Sequence, residues 1–270
     1  MPRPCPIVLP MTIDEFRRME HRLGWKHEYW DGAARLSVQE TAVASFQQNV
    51  TSPVGGRPTV GDGEQLRPVR DNDQGALVEL FQRAFDDAIE FAGWPDDAYQ
   101  RDARDSIASF FGNSTEGQRR PSGNGRTDAS FVVTAGERLL AAVMVRSIRR
   151  GPILEPIMVL PAHQRRGLGS KLLAAALDAL HSAGEATLFT RCHLGNAASL
   201  AWHERNGFEE IPSYFAATHR WRHFGWLVEH YEDTGDLQRA ADMRTLCEHW
   251  KVVVEKLEAS GDRWSSGLLD

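Results

Sequence analysis

The segment Val159-Leu160-Pro161-Ala162-His163-Gln164-Arg165-Arg166-Gly167-Leu168-Gly169-Ser170 places two arginines and two glycines just ahead of an apolar helical run. Glycine lets a backbone approach a ligand closely, and the first N–H groups of a helix have no partner within it. Together with the partial positive charge of a helix N-terminus, such a turn suits a pyrophosphate. Arg165 and Arg166 could add countercharge at its rim, although a solvated basic pair fits the same residues. The dinucleotide pattern GxGxxG needs a third glycine where Leu172 stands, and the lysine of the P-loop is missing.

Two further residue types bear on reactivity. Glu155 sits in an otherwise apolar strand-like run beside Pro156, which suggests an irregularity in a sheet. A carboxylate there could take the proton of an ammonium, directly or through a water, or it could be a structural partner of an arginine such as Arg146. Cys192-His193 offers a thiol next to an imidazole, but neighbours on a strand end point in opposite directions, so a nucleophilic dyad is disfavoured. Cys5, Cys192 and Cys247 form no CxxC pair, and neither a disulfide framework nor a metal site is expected.

Gln164-x-x-Gly167-x-Gly169 resembles the Q/R-x-x-G-x-G/A signature of the GCN5-related N-acetyltransferase (GNAT) superfamily. The block Asn196-Ala197-Ala198-Ser199-Leu200-Ala201-Trp202-His203-Glu204-Arg205-Asn206-Gly207-Phe208 is similar to that family's N-x-x-A-x-x-L-Y-E-K-x-G-F. The resemblance covers residues 64–212. It implies an acyltransferase that moves an acetyl group from acetyl-CoA to a primary amine of a small molecule or peptide. It also implies a mixed, mostly antiparallel sheet with flanking helices, splayed between its fourth and fifth strands to admit the pantetheine arm. Carried over by position, backbone groups at Met158 and Val159 would bond that arm, and one of that strand's N–H groups would hold the oxyanion. Gln164 and the amides of Arg165, Arg166, Gly167, Leu168, Gly169 and Ser170 would seat the pyrophosphate, and Asn196 would face the pantetheine amides. His203 stands where members often carry a tyrosine that protonates the leaving thiolate. Imidazole can do the same near neutral pH, or it can simply pack between helix and sheet. A rival reading keeps the acyl-CoA site without turnover, as a binding module whose extensions contact a protein.

Patterning supplies the frame. Thr12 with Glu15 is a capping box for a helix carrying Ile13, Phe16, Met19 and Leu23, and Asp31-Gly32 suits the turn of a hairpin between residues 26–30 and 33–38. Residues 51–63, with two prolines and four glycines, read as a linker. The expected organisation is therefore an N-terminal helix and hairpin over 1–60, an α/β (α+β) acetyltransferase-like domain over 64–212, and a helical hairpin over 213–270. Within the middle unit a strand precedes a helix capped among Asp71, Asn72 and Asp73, and a second helix covers residues 97–111. A polar loop over 112–128, with Arg119 and Arg120, precedes a three-stranded meander. In the last unit Trp221, Phe224, Val228 and Tyr231 face Cys247, Trp250 and Val254 across Thr234-Gly235-Asp236, and stripes so apolar suggest a homodimer interface.

A net charge of −6 argues against a polyanion such as nucleic acid. No apolar run is long enough to cross a membrane, and the prolines near the N-terminus break up any secretory core, so cytoplasmic residence is expected. Asp86, Asp87, Glu90, Asp96 and Asp97 lie on the first two helices of the middle unit and their loop, which in the family usually shape the acceptor pocket. They suggest a cationic acceptor, or simply a solvated acidic face.

Overall fold

A computed structural model describes residues 7–50, 58–113 and 125–261. It contains a small three-stranded sheet, a seven-stranded sheet covered by helices, and a long helical pair. Strand β1 (Ile7–Pro10), helix α1 (Ile13–Arg18) and strands β2 (Trp25–Trp30) and β3 (Ala33–Val38) open the chain. The capping box at α1 is present, with Thr12 Oγ1 accepting from Glu15 N–H and Glu15 accepting from Thr12 N–H. The helix stops at Arg18, short of Leu23, because Met19 is already extended. Asp31 and Gly32 both have positive φ, which a two-residue hairpin turn requires.

Strand β4 (Val43–Asn49) was not expected from the sequence. It belongs to the central sheet, whose order is β10-β4-β9-β8-β7-β6-β5. The remaining strands are β5 (Glu64–Pro68), β6 (Phe131–Ala135), β7 (Arg138–Ile148), β8 (Gly151–Val159), β9 (Thr187–His193) and β10 (Glu209–Ile211). β4 pairs antiparallel along all of β9, from Val43↔His193 to Asn49↔Thr187, and carries β10 on its other edge. The segment ahead of the linker thus completes the sheet. Of that linker residues 51–57 lie outside the described residues, as do Cys5 and most of the loop bearing Arg119 and Arg120.

All neighbouring pairs in this sheet are antiparallel except β8 and β9. Residues 139–145 of β7 are buried without interruption, which requires cover on both faces of the sheet. That cover comes from α2 (Gln74–Ala84), α3 (Asp96–Phe110) and α4 (Leu168–Ser182), through residues such as Leu77, Ile107, Leu172 and Leu180. Asp73 fixes the start of α2: it accepts from Arg70 N–H at 2.8 Å and from both terminal nitrogens of Arg67 on β5.

Helix α5 (Ala197–Arg205) follows β9, and α6 (Tyr214–Asp233) and α7 (Leu237–Ala259) form the hairpin turning at Gly235. Of its buried positions, Ala216, Ala217, Arg220, Leu227, Ala240 and Val254, only Val254 belongs to the stripe expected. The aromatics are half-buried and meet polar rings instead. Trp226 stacks on His21 at 3.8 Å, and Arg220 lies over Trp250 while pairing with Glu210. Among the described residues no helix is long and apolar enough to cross a membrane.

Candidate active site

The β8–β9 ladder holds only at Ile153↔Phe189 and Leu154↔Thr190. Beyond that point the strands part, leaving the β8 edge from Glu155 onward unpaired, and a cavity of about 1390 Å³ opens between them. Pro156 lies at the parting, and the β7–β8 register shifts between Val143 and Val145 on the opposite edge. The expected splaying of the sheet is therefore present. Ile157 and Val159 line the cavity, whereas the Met158 side chain is buried in the core and leaves only its backbone to the β8 edge.

At the floor, Gly167 is the N-cap of α4 with φ +77°, and Arg165 is also left-handed at φ +60°. The first intrahelical bond is Lys171 N–H to Gly167 O, so the N–H groups of Leu168, Gly169 and Ser170 precede it and remain to be satisfied. A Cβ built on Gly169 would lie 3.2 Å from Trp202 Nε1 and 3.4 Å from Ile157 Cδ1, so a larger residue would make those side chains give by a few tenths of an ångström where the α4 start packs on α5 and β8. Gln164, Arg165, Gly167, Leu168, Gly169 and Ser170 all line the cavity. Gln164 Nε2 donates to Val159 O at 3.4 Å, tying the turn to the end of β8. The Arg166 guanidinium points elsewhere, to Glu64 on β5 at 2.7 Å and to His163, so any contact from Arg166 is through its backbone. The open turn, unpaired N–H groups and parted strands fit the diphosphate and thioester arm of an acyl-CoA.

Glu155 lies where the strands separate, 38% exposed, and is the one carboxylate on β8 and β9. Arg191 Nη2 donates to its two oxygens at 2.9 and 2.7 Å. Arg191 thus takes the partner role that the sequence left open for Arg146, which is bound to Ser106 O and Ser109 Oγ.

His203 is 1% exposed, stacked on Phe46 of β4 at 4.7 Å and edge-on to Trp202 and Phe208. Its Nδ1 lies 2.7 Å from the Ser199 carbonyl, which can only accept, so that nitrogen carries the proton. Burial holds the ring below its usual titration range, with the bond to Ser199 opposing that shift. A neutral ring protonated at Nδ1 leaves Nε2 as acceptor for the Thr190 hydroxyl at 3.2 Å. The geometry gives His203 an acceptor at Nε2 rather than the proton donor its sequence position implies.

Asn196 has both side-chain groups engaged. Oδ1 caps α5 by accepting from Ser199 N–H, and Nδ2 donates to Glu90 Oε1 at 3.0 Å. Of the acidic positions, Asp86, Asp87 and Glu90 line the cavity, while Asp97 pairs with Arg101 on the surface. Cys192 is buried, its thiol pushed up to about 12 by that burial, which leaves it inert as a nucleophile at neutral pH.

The sequence reading missed Thr190 and Arg191 on β9, Trp202 on α5, and a wall made by Val38, Glu40 and Val43 from the leading segment. The alternation of buried Ala42, Ala44 and Phe46 was the available signal for β4. It was faint because alanine, serine and glutamine are weak strand formers.

A family model described as "Acetyltransferase (GNAT) family" matches residues 77–208. The [Ribosomal protein bS18]-alanine N-acetyltransferase of Salmonella typhimurium is 34% identical over 105 residues, covering 39% of this chain and 64% of that protein. Its counterpart from Escherichia coli (strain K12) is 34% identical over 100 residues, covering 36% of this chain and 68% of that protein. The crystal structure of the Escherichia coli ribosomal-protein-S18-alanine N-acetyltransferase superposes with a TM-score of 0.40 at 26% identity, over 55% of this chain and 79% of that one. About a third of each curated relative therefore lies outside the match.

Proposed function

This chain belongs to the GNAT acetyltransferase family, and from that premise we propose that it transfers an acetyl group from acetyl-CoA to a primary amine of a peptide or small molecule. The observation that carries the reading is the parting of β8 and β9 directly over the Gly167 turn, with Glu155 at the fork. Acetyl-CoA brings the activated acyl group as a thioester. Its diphosphate would sit on the N–H groups of Leu168, Gly169 and Ser170, and its arm along the free edge of β8 at Met158 and Val159.

Glu155 takes a proton from the acceptor ammonium, directly or through a water. Arg191 keeps the carboxylate turned to the cavity without using all of its lone pairs. The freed amine nitrogen then bonds to the thioester carbon, a β8 backbone N–H stabilises the developing oxyanion, and the C–S bond breaks. We assign His203 the task of orienting the Thr190 hydroxyl and packing α5 on β4, so the proton for the leaving thiolate comes from another group or from water. The relatives named above act on the alanine amine of a ribosomal protein, which favours a peptide acceptor and a cytoplasmic setting.

The test is release of free thiol from acetyl-CoA across peptides, polyamines, aminoglycosides and amino acids, alongside calorimetry with coenzyme A. Glu155→Gln should lower kcat about 100-fold or more while coenzyme A still binds. Binding by the wild type without turnover of any amine would favour a non-catalytic acyl-CoA module, and no heat with coenzyme A would remove the reading altogether.

A further inference from the structure

Residues 38–43 lie outside the family-matched region, yet three of them, Val38, Glu40 and Val43, line the same cavity as Glu155. The turn is bolted in place. His193, itself 4% exposed, donates from Nε2 to Gln39 O at 2.9 Å while its Nδ1 accepts from Gly195 N–H. Leu194 N–H donates to Ala42 O at 2.7 Å, Gln39 N–H donates to Gly24 O, and Thr41 Oγ1 meets His219 of α6 at 3.0 Å. The β9 end, the β9–α5 loop and α6 thus fix a turn whose Glu40 is exposed at the cavity rim without an ion pair among the described residues.

The charges around it are uneven. Arg191 is already paired with Glu155, Arg165 belongs to the turn ahead of α4, and Arg83 and Arg205 line the same cavity. Asp87 and Glu90 line the cavity as well, the latter held by Asn196 through Oε1 with Oε2 buried and unpartnered. A ligand reaching past Glu155 therefore meets further carboxylates, one of them supplied by a segment that precedes the family region.

We propose that the turn at residues 39–42 is the acceptor-selectivity element of this enzyme, and that Glu40 receives a second positive charge carried by the acceptor beside the amine it presents. This rests on the acetyl-transfer reading. It adds the acceptor class, an amine with a further cation, and names the leading segment as what reads it. Such a charge at the rim makes a charge-assisted hydrogen bond with Glu40 and leaves the reacting nitrogen at Glu155.

The experiment measures thiol release by the full chain with matched acceptors. One arm uses peptides that begin with alanine followed by lysine or by alanine, and the other uses spermidine against butylamine. Glu40→Gln should raise KM about tenfold for the acceptors with a second cation, leave kcat within about twofold, and leave the single-charge acceptors unchanged. Glu40→Lys should raise the same KM further. The peptide arm responding alone assigns the site to peptides, and the polyamine arm responding alone assigns it to small polycations. Equal effects on matched acceptors, or none, would overturn the proposal while acetyl transfer stands. No thiol release by the wild type with any acceptor would remove both.

Discussion

Acidification should loosen the junction between the leading segment and the C-terminal hairpin before it harms the central sheet. His21 lies flat between His27 at 4.1 Å and Trp226 at 3.8 Å, and Trp226 stacks in turn on His230 at 4.8 Å. Burial, reinforced by the neighbouring His27, His223 and His230, pulls His21 down to about 3. Burial with His27 pulls His223 to about 4, against the opposing charge of Glu20. His27 is lowered as well, by burial and by Arg22.

The folded rings thus titrate below the unfolded value of about 6.5, so the unfolded chain binds more protons between these limits and stability falls as pH drops. Stability from these rings is complete above pH 6.5 and is lost progressively toward pH 3 to 4. At pH 5 each ring would cost at most about 2 kcal/mol (1.5 units at about 1.4 kcal/mol each). Because the rings are only half-buried, solvent screening reduces this to about 1 kcal/mol apiece. Urea unfolding of the wild type and of His21→Phe, which keeps a flat ring but no proton site, provides the measurement at pH 8, 6 and 5. The stability difference between the two proteins should move by about 1 kcal/mol in favour of the variant from pH 8 to pH 5. Parallel pH dependences would refute the reasoning.

The remaining expectations concern the sheet and the site. Phe46→Ala removes a ring that is 6% exposed and stacked on His203, and should cost about 3 kcal/mol or more in chemical denaturation. A loss below about 1 kcal/mol would mean that β4 is dispensable to the sheet. Gly195→Ala places a Cβ 2.3 Å from Ile89 Cδ1 and 2.8 Å from Leu23 O, and should lower the unfolding midpoint by about 1–3 kcal/mol of stability. An unchanged midpoint would show that those neighbours yield. For His203→Gln the expected signature is a reduced Tm with kcat within about threefold, since the ring is neutral and buried. A hundredfold loss of kcat at unchanged Tm would return it to the role of acid.

The sequence by itself determined the parts of this protein whose physics is local. Gly167 and Gly169 ahead of the apolar run of α4 marked the open turn at which that helix starts, since positive φ and unpaired first-turn N–H groups are properties of a few consecutive residues. Thr12 with Glu15 and Asp31-Gly32 likewise placed a helix start and a hairpin correctly. Tertiary structure alone decided which distant pieces share one space. Whether Glu155 meets Arg191 or Arg146 depends on where β9 pairs with β8. Whether His203 is a donor or an acceptor depends on burial against a strand more than 150 positions earlier. That strand, β4, is too weak in propensity to announce itself, and it is stable only because β9 and β10 offer it two edges and Phe46 a covered face. Side-chain partners across a sheet are set by register, and register is a property of the whole fold.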